Sequence, residues 1–305
     1  MITVVGSFNM DLFIEAPRFP APGETLFGKN FRRAPGGKGA NQAYAVALMG
    51  QSAAIIGAVG QDAFGDEMLA NLQAAGVNAS GVARRKDAAS GTAMVTLDAA
   101  GENTIIVANG ANDTLSGGDV TRHAGLIRQS RAMITQLETP LESVETALRL
   151  AREAGVPAIL NPAPYSPAPD ALLAFCDWII PNEIEAAKLS GVEVRNLKDA
   201  ANAVAEIRRL SNCPNILVTM GPNGVWLDTP RHKCHVPGFK VEAVDTVGAG
   251  DTFIGAFVVK LVEGADEREA VRFGRAAAAI AVTRRGAQAS IPTRDEVEKF
   301  LAGRI

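Results

Sequence analysis

The sequence predicts an α/β fold with a central, mostly parallel sheet and helices on both of its faces. Short runs of β-branched and other apolar residues, typical of buried strands, alternate along the chain with longer segments of helical periodicity. The chain has 305 residues, of which 47% are hydrophobic, and a chain of this length can bury a large core. Two segments that interrupt the alternation predict a second, smaller sheet.

The predicted strands of the central sheet are short and apolar. The first, Ile2–Val5, ends at Gly6 and is typical of a buried strand that leads into an active-site turn. The others are Ala53–Ile56, Arg131–Thr135, Pro157–Leu160, Trp178–Ile180 and Ile216–Thr219. The helices predicted between the strands are Asn41–Met49, Gly65–Ala75, Pro140–Ala154, Glu183–Leu189 and Asp199–Leu210. Strands separated by helices pair in parallel, since parallel neighbours require a crossover connection.

The segments 11–33 and 90–108 alternate like strands around turn residues, Pro22-Gly23 in the first and Gly101-Glu102-Asn103 in the second. They predict two antiparallel hairpins. The hairpins could form an accessory sheet or thicken the edge of the central sheet, and the pattern favours the accessory sheet. Since no repeat or linker divides the sequence, we expect a single domain over residues 1–305, with a β lid formed from about 11–33 and 90–108.

Composition argues against several classes of protein. With 30 Lys and Arg against 33 Asp and Glu, the net charge is −3, so we expect no nucleic-acid partner and no anionic membrane partner. The apolar stretches fall short of the roughly 20 residues that cross a bilayer, and no secretory signal is visible. Three cysteines, Cys176, Cys213 and Cys234, predict a reducing, cytoplasmic environment rather than a disulfide framework.

The segment from Ala243 to Phe253 places glycines before an apolar helical pattern. Such a helix start directs backbone N–H groups and the positive end of the helix dipole at a phosphate or a developing negative charge. Asp251 would lie in the first turn, where its carboxylate could accept a proton from a hydroxyl that attacks phosphorus. The alternative is that Asp251 is only an N-cap and the glycines only a tight turn.

A second glycine cluster, residues 35–42, also precedes a helix. It differs from a P-loop, because Arg32 and Gly39 occupy the positions of that motif's first glycine and of its Ser or Thr. Its small residues permit close approach of a ligand, and Lys38 and Asn41 offer hydrogen-bond donors suited to sugar hydroxyls. A helix-capping turn with a solvated lysine remains the alternative.

Two further pairs could bind ligands. Asn9 and Asp11 follow the first strand and point the same way in extended chain, so together they could bind vicinal hydroxyls; turn formation is the alternative. Asn182 would cap a helix with Glu185 one turn in, which suits water-mediated Mg²⁺ binding but also an ordinary cap. A zinc site from Cys213, His232, Cys234 and His235 is disfavoured, because His235 would face away from His232 and Cys234 on a strand.

Taken together and in order, these segments resemble the ribokinase family of carbohydrate kinases, also called the PfkB type. The resemblance extends along the whole chain. The matching segments are VVGSFNMD, FPAPGET, GGKGANQA, GANDTLS, QLETPLESV, LNPAP, PNEIEAAKLSG, VTMGPNGVW, VPGFKVEAVDTVGAGDTF and AAAAIAVTRRGAQASIP. The resemblance implies a three-layer α/β/α fold with a small β-sheet lid over the sugar, and the lid is often a dimer contact, which implies a homodimer.

Within the family, GGKGANQA together with NMD and QLETP resembles the members that phosphorylate ribose more than those that act on fructose or adenosine. The implied reaction is ATP plus D-ribose giving ADP plus ribose 5-phosphate, with Mg²⁺ accompanying ATP and K⁺ as activator. Alternatives are a kinase of the same family for deoxyribose or another pentose or ketose, a non-catalytic sugar sensor, and a nicotinamide dehydrogenase, which the missing GxGxxG argues against.

The resemblance also implies roles for individual residues. Asp251 would be the general base, and the backbone N–H groups of Gly248, Ala249, Gly250 and Asp251 would form the anion hole. The sugar would be bound by Asn9, Asp11, Gly37, Lys38, Asn41, Glu138 and Asp251. ATP would be held by Asn182, Thr219, Gly221, Gly224 and Gly250, with Arg275 near the adenine. Glu185 would support Mg²⁺ through water. The K⁺ site would consist of Asp245, Val247, Ala281, Arg284, Gly286 and Ser290.

Two positions depart from the family pattern. Ile254 stands where members commonly have Asn, and Arg275 stands where a His is often found. The first is expected to matter little, whereas the second bears on nucleotide preference.

Overall fold

Two separate β-sheets organise the protein. The computed structural model describes residues 1–100, 102–167 and 170–303, and it contains one sheet of nine strands and one of four. The strands are β1 (Ile2–Val5), β2 (Asn9–Glu15), β3 (Lys29–Gly36), β4 (Ala53–Gly60), β5 (Asn78–Arg85), β6 (Gly91–Leu97), β7 (Asn103–Ala108), β8 (Ala132–Thr135), β9 (Ala158–Leu160), β10 (Trp178–Ile179), β11 (Asn215–Thr219), β12 (Val225–Asp228) and β13 (Lys233–Val236).

Helices connect most of the strands. They are α1 (Lys38–Leu48), α2 (Ala63–Ala74), α3 (Gly117–Arg122), α4 (Ala124–Arg128), α5 (Leu141–Glu153), α6 (Asp170–Leu173), α7 (Glu183–Ser190), α8 (Leu197–Ser211), α9 (Ala249–Val262), α10 (Glu267–Ala281) and α11 (Arg294–Ala302). Short 3₁₀ turns occupy Gly110–Thr114, Gly221–Asn223 and Gln288–Ser290. Among the described residues, no helix combines the length and the apolar character that a bilayer crossing requires.

The nine-stranded sheet has the order β13-β12-β11-β10-β9-β8-β1-β4-β5. Its neighbours pair in parallel from β5 to β11, whereas β12 and β13 join in antiparallel fashion. The prediction of a mostly parallel central sheet is therefore confirmed. The sequence analysis did not predict β5, β12 and β13. Strands β5 and β13 form the two edges and include exposed polar residues such as Lys233, whereas β12 lies next to the edge and its short, mostly buried apolar run was not recognised.

The four-stranded sheet, order β3-β2-β6-β7, is the lid. The predicted hairpins are the antiparallel pairs β2–β3 and β6–β7, and a parallel pairing of β2 with β6 joins them. This arrangement confirms the accessory sheet and excludes the thickened edge. Gly101 of the second predicted turn lies outside the described residues.

Helix α9 lies at the centre of the helical layer that carries the site. Every residue from Asp251 to Val259 is buried, as expected for a helix that is apolar on all sides. It packs between α1 and α10, and the stacked rings of Phe253 and Phe257 lie 5.8 Å apart. The helix begins at Ala249, so Asp251 lies in its first turn, as predicted.

The glycines at the start of α1 let that helix approach the connection between β1 and β2. Gly37 has φ +89°, and a Cβ atom there would lie 2.6 Å from the backbone N of Asn9. A Cβ atom on Gly39 would collide with the backbone N of Ser7. Glycine is therefore required at both positions, and the close approach brings Lys38 and Asn41 towards the residues that follow β1.

Candidate active site

Two cavities meet at the beginning of α9. The smaller, about 210 Å³, is lined by Lys38, Asn161, Ala163, Ile180, Asn182, Glu185, Thr219, Thr246, Gly248, Gly250, Asp251 and Ile254. The larger, about 590 Å³, is mainly apolar and is lined by residues of β11, of 221–249 and of α9 and α10. Thr219, Thr246 and Gly250 line both cavities. A ligand that fills the larger cavity could therefore extend past Gly250 towards Asp251.

Side-chain amides hold the Asp251 carboxylate in place. Asp251 is 7% exposed. Its Oδ2 accepts a hydrogen bond of 2.9 Å from Nδ2 of Asn41, and its Oδ1 accepts one of 2.9 Å from Nε2 of Gln42. The alternative that Asp251 is merely a helix cap is therefore wrong, since its carboxylate reaches α1 instead of its own helix.

A wider network of buried amides supports these two donors. Nε2 of Gln136 donates to Oε1 of Gln42 at 2.6 Å, and Nε2 of Gln42 also contacts Oδ1 of Asn161 at 3.2 Å. On the other side, Nε2 of Gln288 donates to Oδ1 of Asn41 at 3.2 Å. The sequence analysis assigned no role to Gln42, Gln136, Asn161 or Gln288. All four lie inside segments that match the family, GGKGANQA for Gln42, QLETPLESV for Gln136, LNPAP for Asn161 and AAAAIAVTRRGAQASIP for Gln288, and this was the available signal.

The start of α9 has the geometry that the predicted anion site requires. Gly248 has the left-handed φ of +75° at the N-cap. Gly250 and Asp251 follow in the first turn, where backbone N–H groups have no acceptor within the helix. A Cβ atom on Gly250 would meet nothing within 4 Å, so open space adjoins these donors. The structure thus brings an anion-binding helix start and a carboxylate to one place.

Asn9 and Asp11 lie on β2 with their side chains on one face of the lid, as predicted. Asn9 is fixed by Asn112, whose Nδ2 donates to Asn9 Oδ1 at 3.0 Å and to Phe8 O at 2.8 Å. Asn112 comes from the GANDTLS segment and was not assigned a role. Both Asn9 and Asp11 are buried, so their polar atoms face the interior below the lid and do not form a surface turn.

Glu138 joins the glycine cluster of residues 35–42 to the end of β8. Its Oε2 accepts hydrogen bonds from Ser7 Oγ at 2.5 Å and from the backbone N of Lys38 at 3.1 Å. The resemblance alone suggested Glu138, and the structure places it beside the start of α1. Ser7 is a further polar residue of this region that the sequence analysis did not identify.

Four carboxylates surround the ammonium group of Lys38. Burial would lower the pKa of Lys38, but Asp251, Glu138, Glu185 and Asp11 together raise it, so the side chain remains charged. Burial and the nearby charges of Glu138 and Asp251 together raise the pKa of Asp11 to about 7. Arg32 and Lys38 oppose this shift more weakly. These mutual effects show that the predicted sugar-binding residues converge.

Asn182 and Glu185 form a reciprocal cap at the start of α7. Asn182 Oδ1 accepts from the N–H of Glu185 at 2.8 Å, and Glu185 Oε2 accepts from the N–H of Asn182 at 2.9 Å. The ordinary capping role is thus present, yet both residues also line the smaller cavity. Burial raises the pKa of Glu185, although the Asn182 N–H and Lys38 oppose the effect.

Three of the remaining predicted nucleotide residues, Thr219, Gly221 and Arg275, line the larger cavity. Thr219 ends β11 and bridges to Asn182. Gly221 lines the larger cavity, and Gly224 follows with φ +98°, a turn geometry that favours glycine. Arg275, on α10, also lines this cavity and is 9% exposed.

The loop that precedes α9 is tied to the end of α10 by Asp245. Its Oδ1 accepts from the N–H of Val247 at 3.0 Å, and its Oδ2 accepts from the N–H of Gly286 at 2.9 Å. The other predicted K⁺ residues make hydrogen bonds of different kinds. The carbonyl of Ala281 accepts from the N–H of Arg284, the Arg284 side chain pairs with Glu296, and Ser290 Oγ donates to the Ala287 carbonyl.

The residues weighed and disfavoured as zinc ligands have other partners. Nε2 of His232 lies 2.8 Å from Asp266 Oδ2, and Nε2 of His235 lies 2.6 Å from Asn223 O. Cys213 is buried, and its sulfur contacts Asn215 O at 3.3 Å.

Comparison with known proteins gives a consistent result. A sequence profile described as "pfkB family carbohydrate kinase" matches residues 1–294. A protein named ribokinase from Haemophilus influenzae is 43% identical over 300 residues, covering 98% of each chain. A deoxyribokinase from Salmonella typhi is 36% identical over 302 residues, covering 99% of this chain and 98% of its own. The structure of Arabidopsis thaliana ribokinase complexed with ribose and ATP superimposes with a TM-score of 0.92 at 34% identity, covering 98% of each chain.

The raised pKa of Asp11 predicts a pH-dependent stability. Between about pH 4 and 7 the folded protein retains a proton on Asp11 that the unfolded chain has released, so the free energy of unfolding should fall as the pH rises through this window, by at most about 4 kcal/mol. Asp11→Asn should flatten this part of the profile, measured by urea denaturation. The exposed-site control Asp295→Asn should keep the wild-type slope. Parallel profiles for wild type and Asp11→Asn would contradict the argument.

Proposed function

The chain belongs to the pfkB family of carbohydrate kinases, and from this membership we propose that it transfers the γ-phosphoryl group of ATP to the 5-hydroxyl of D-ribose. The products are ribose 5-phosphate and ADP. One observation carries the proposal: a buried carboxylate, Asp251, lies in the first turn of α9, where a small polar cavity meets a larger apolar one. The carboxylate can accept a hydrogen bond from a sugar hydroxyl, and the larger, mainly apolar cavity can hold the nucleoside of ATP.

Asp251 acts as the general base. Because both of its oxygens accept amide hydrogen bonds, the carboxylate is held in one orientation with further lone pairs available to a hydroxyl proton. The proton of the 5-hydroxyl passes to Asp251 as the oxygen bonds to the γ-phosphorus, and the bond to the β–γ bridging oxygen breaks to release ADP. Positioning and charge stabilisation supply most of the catalysis in such transfers.

The transferring phosphoryl group lies against the helix start. The backbone N–H groups of Gly248, Ala249, Gly250 and Asp251 form its anion hole, assisted by the α9 dipole. The positive charge of Lys38, which lines the same cavity, adds to the field in which the phosphoryl group moves.

The sugar is bound between the lid and the start of α1. Asn9 and Asp11 from β2, Gly37, Lys38 and Asn41 from the glycine cluster, Glu138 after β8, and Asp251 itself supply its polar contacts. This assignment is supported by the hydrogen bonds that link Glu138 to Lys38 and Asn41 to Asp251. Carboxylates and amides in a water-poor site discriminate strongly between hydroxylated ligands.

ATP occupies the larger cavity, held by Asn182, Thr219, Gly221, Gly224 and Gly250, with Arg275 at the nucleoside. Mg²⁺ would accompany the phosphates, and Glu185 would hold it through water. The site fits this ion, because Glu185 places a buried carboxylate in the smaller cavity, and Mg²⁺ prefers oxygen ligands and retains several waters. When bound, Mg²⁺ neutralises charge on the β- and γ-phosphate oxygens.

K⁺ is the proposed activator, held by Asp245, Val247, Ala281, Arg284, Gly286 and Ser290. The proposal is supported by Asp245, which ties the segment before α9 to the segment after α10, so that the proposed ligands from the two segments are held together. Backbone carbonyls are ligands of the kind that bind K⁺. K⁺ there would add positive charge next to the anion hole and order its loop.

The chain functions as a single domain whose β lid closes over the sugar. Closure would keep water from the γ-phosphoryl group and so limit ATP hydrolysis. The three free cysteines support a reducing, cytoplasmic location.

The lid also supports a homodimer. Met94 and Ile106 are paired neighbours on its outer face, 48% and 74% exposed, with Phe31 also exposed. Strand β7 is an edge strand of this sheet. Apolar edge strands are normally covered in soluble proteins, and a second copy of the lid would cover this one.

A substrate panel tests the reaction. We expect the highest kcat/KM with D-ribose among ribose, 2-deoxyribose, fructose and nucleosides, measured as ADP release with Mg²⁺ and ATP, and a higher kcat in K⁺ than in Na⁺. Preference for 2-deoxyribose would identify the alternative that the Salmonella relative represents. Sugar binding without ADP release would identify a sensor, and equal rates in K⁺ and Na⁺ would refute the activator site.

Removal of the base tests the mechanism. Asp251→Asn should lower kcat about 100- to 10,000-fold, the usual contribution of a positioned proton acceptor, while ribose affinity measured by calorimetry stays near the wild-type value. The exposed carboxylate Asp113 offers the matched control Asp113→Asn, which should leave kcat unchanged. Near-normal turnover of Asp251→Asn would exclude Asp251 as the base.

Charges on the outer lid test the dimer. Wild type should sediment as a dimer at micromolar concentration, and the double variant Met94→Lys with Ile106→Lys as a monomer, because two buried lysines in each copy would repel and lose hydration. Gln73→Lys with Gln129→Lys, at exposed sites outside the lid, adds the same charge and should remain dimeric. A monomeric wild type, or a dimeric lid variant, would contradict the proposed contact.

A further inference from the structure

Arg275 is a buried cation without a counter-charge. The residue is 9% exposed, and its Nε atom is fully buried with no hydrogen-bond partner. Within residues 1–100, 102–167 and 170–303, no group forms a hydrogen bond or an ion pair with its guanidinium. Burial lowers the pKa of Arg275, and no carboxylate opposes this effect. A desolvated, unpaired charge is costly, so an acceptor supplied by a ligand would relieve a real deficit.

The position of Arg275 indicates which part of a nucleotide supplies that acceptor. Thr219, Thr246 and Gly250 line both cavities and mark the phosphate end, whereas Arg275 lines only the larger cavity. The guanidinium lies beside Gly238, so closely that a Cβ atom on Gly238 would collide with its Nη2 atom. It is therefore enclosed at the nucleoside part of the cavity, away from the transferring phosphoryl group.

The chemistry of the guanidinium restricts which base it can pair with. Arginine has five N–H donors in a planar fork and no acceptor. Guanine and hypoxanthine present two adjacent acceptors, O6 and N7, which match that fork. Adenine presents N7 beside the donor 6-amino group, so one arm of the fork would face another donor. The remaining wall is mostly apolar, with Phe239, Val241 and Phe253 among its residues, and can stack on any purine.

We infer that Arg275 selects the nucleobase and that 6-oxopurine triphosphates, GTP and ITP, serve as phosphoryl donors alongside ATP. The inference rests on the proposed kinase function and deepens its nucleotide site. ITP differs from ATP only at the 6-position and its ring tautomer, so the ratio of kcat/KM for ITP to that for ATP measures the effect of Arg275 directly. GTP additionally tests whether the cavity admits a 2-amino group.

Three variants test the inference. Arg275→Gln replaces the fork with an amide that can donate to N7 and accept from the 6-amino group of adenine. We expect the ITP-to-ATP ratio to fall roughly 5- to 100-fold, equivalent to a bidentate base contact. Arg275→Lys keeps the positive charge but lacks the planar fork, so its ITP-to-ATP ratio should lie between those of wild type and Arg275→Gln. Arg272→Gln, an exposed arginine one turn earlier on α10, makes the same charge change and should keep the wild-type ratio.

Binding of nucleoside diphosphates separates this inference from the kinase proposal. Calorimetry with IDP and ADP, without sugar, should show the same change of preference in Arg275→Gln. If no triphosphate yields a sugar phosphate but the IDP-to-ADP ratio still shifts, the proposed reaction fails and the base-selecting role stands. The role of Arg275 would be overturned if Arg275→Gln left both the kcat/KM ratio and the binding ratio unchanged, or if it weakened the hypoxanthine and adenine nucleotides equally.

Folding of each variant is checked by its Tm. If Arg275→Gln does not fold, the same two ratios measured in Arg275→Lys decide the question.

Discussion

The general-base role proposed for Asp251 requires a carboxylate that is shielded from water and immobile, and two buried amides contribute to both conditions. A buried carboxylate without donors would be strongly disfavoured in its charged form. Asn41 and Gln42 place one donor on each oxygen, and the dipole of α9 favours negative charge in the same turn. Since both amides begin α1, the close approach of α1 to the β1–β2 connection determines whether the base exists. The tolerance for change at Gly37 and Gly39 is correspondingly small.

Negative and positive charges are unequally distributed along the cleft of the unliganded protein. Asp11, Glu138, Glu185 and Asp251 all act on the single ammonium of Lys38, and the excess of negative charge contributes to the raised pKa of Asp11. In the larger cavity, Arg275 carries a positive charge for which the described part of the chain provides no acceptor. In the proposed complex, the sugar hydroxyls, the metal ion and the nucleotide would supply partners at different points of the cleft. Ligand binding would therefore be favoured by charges placed near the groups that must be aligned for the transfer.

The sequence could predict what depends on local pattern. The start of α9, the same-face placement of Asn9 and Asp11 and the two hairpins follow from glycine positions, strand alternation and turn residues. The parallel β2–β6 pairing, the edge strands and the amide network could not be predicted in this way. Gln136 and Gln288 lie far apart in the chain, and although both fall in segments that match the family, only the tertiary fold brings them behind Asn41 and Gln42. The resemblance suggested Glu138 and Arg275, but the unpaired state of Arg275 is visible only in the structure.

The burial of α9 has a consequence for how the protein loses activity on heating. Its residues from Asp251 to Val259 are enclosed by α1 and α10, so amide protons of this segment should exchange only through global opening. The lid is a small sheet with exposed residues along β7, and such regions open locally at lower free energy. Thermal inactivation is therefore expected in two stages: affinity for the sugar declines first and reversibly, whereas the Asp251 carboxylate keeps its environment until the α/β body melts.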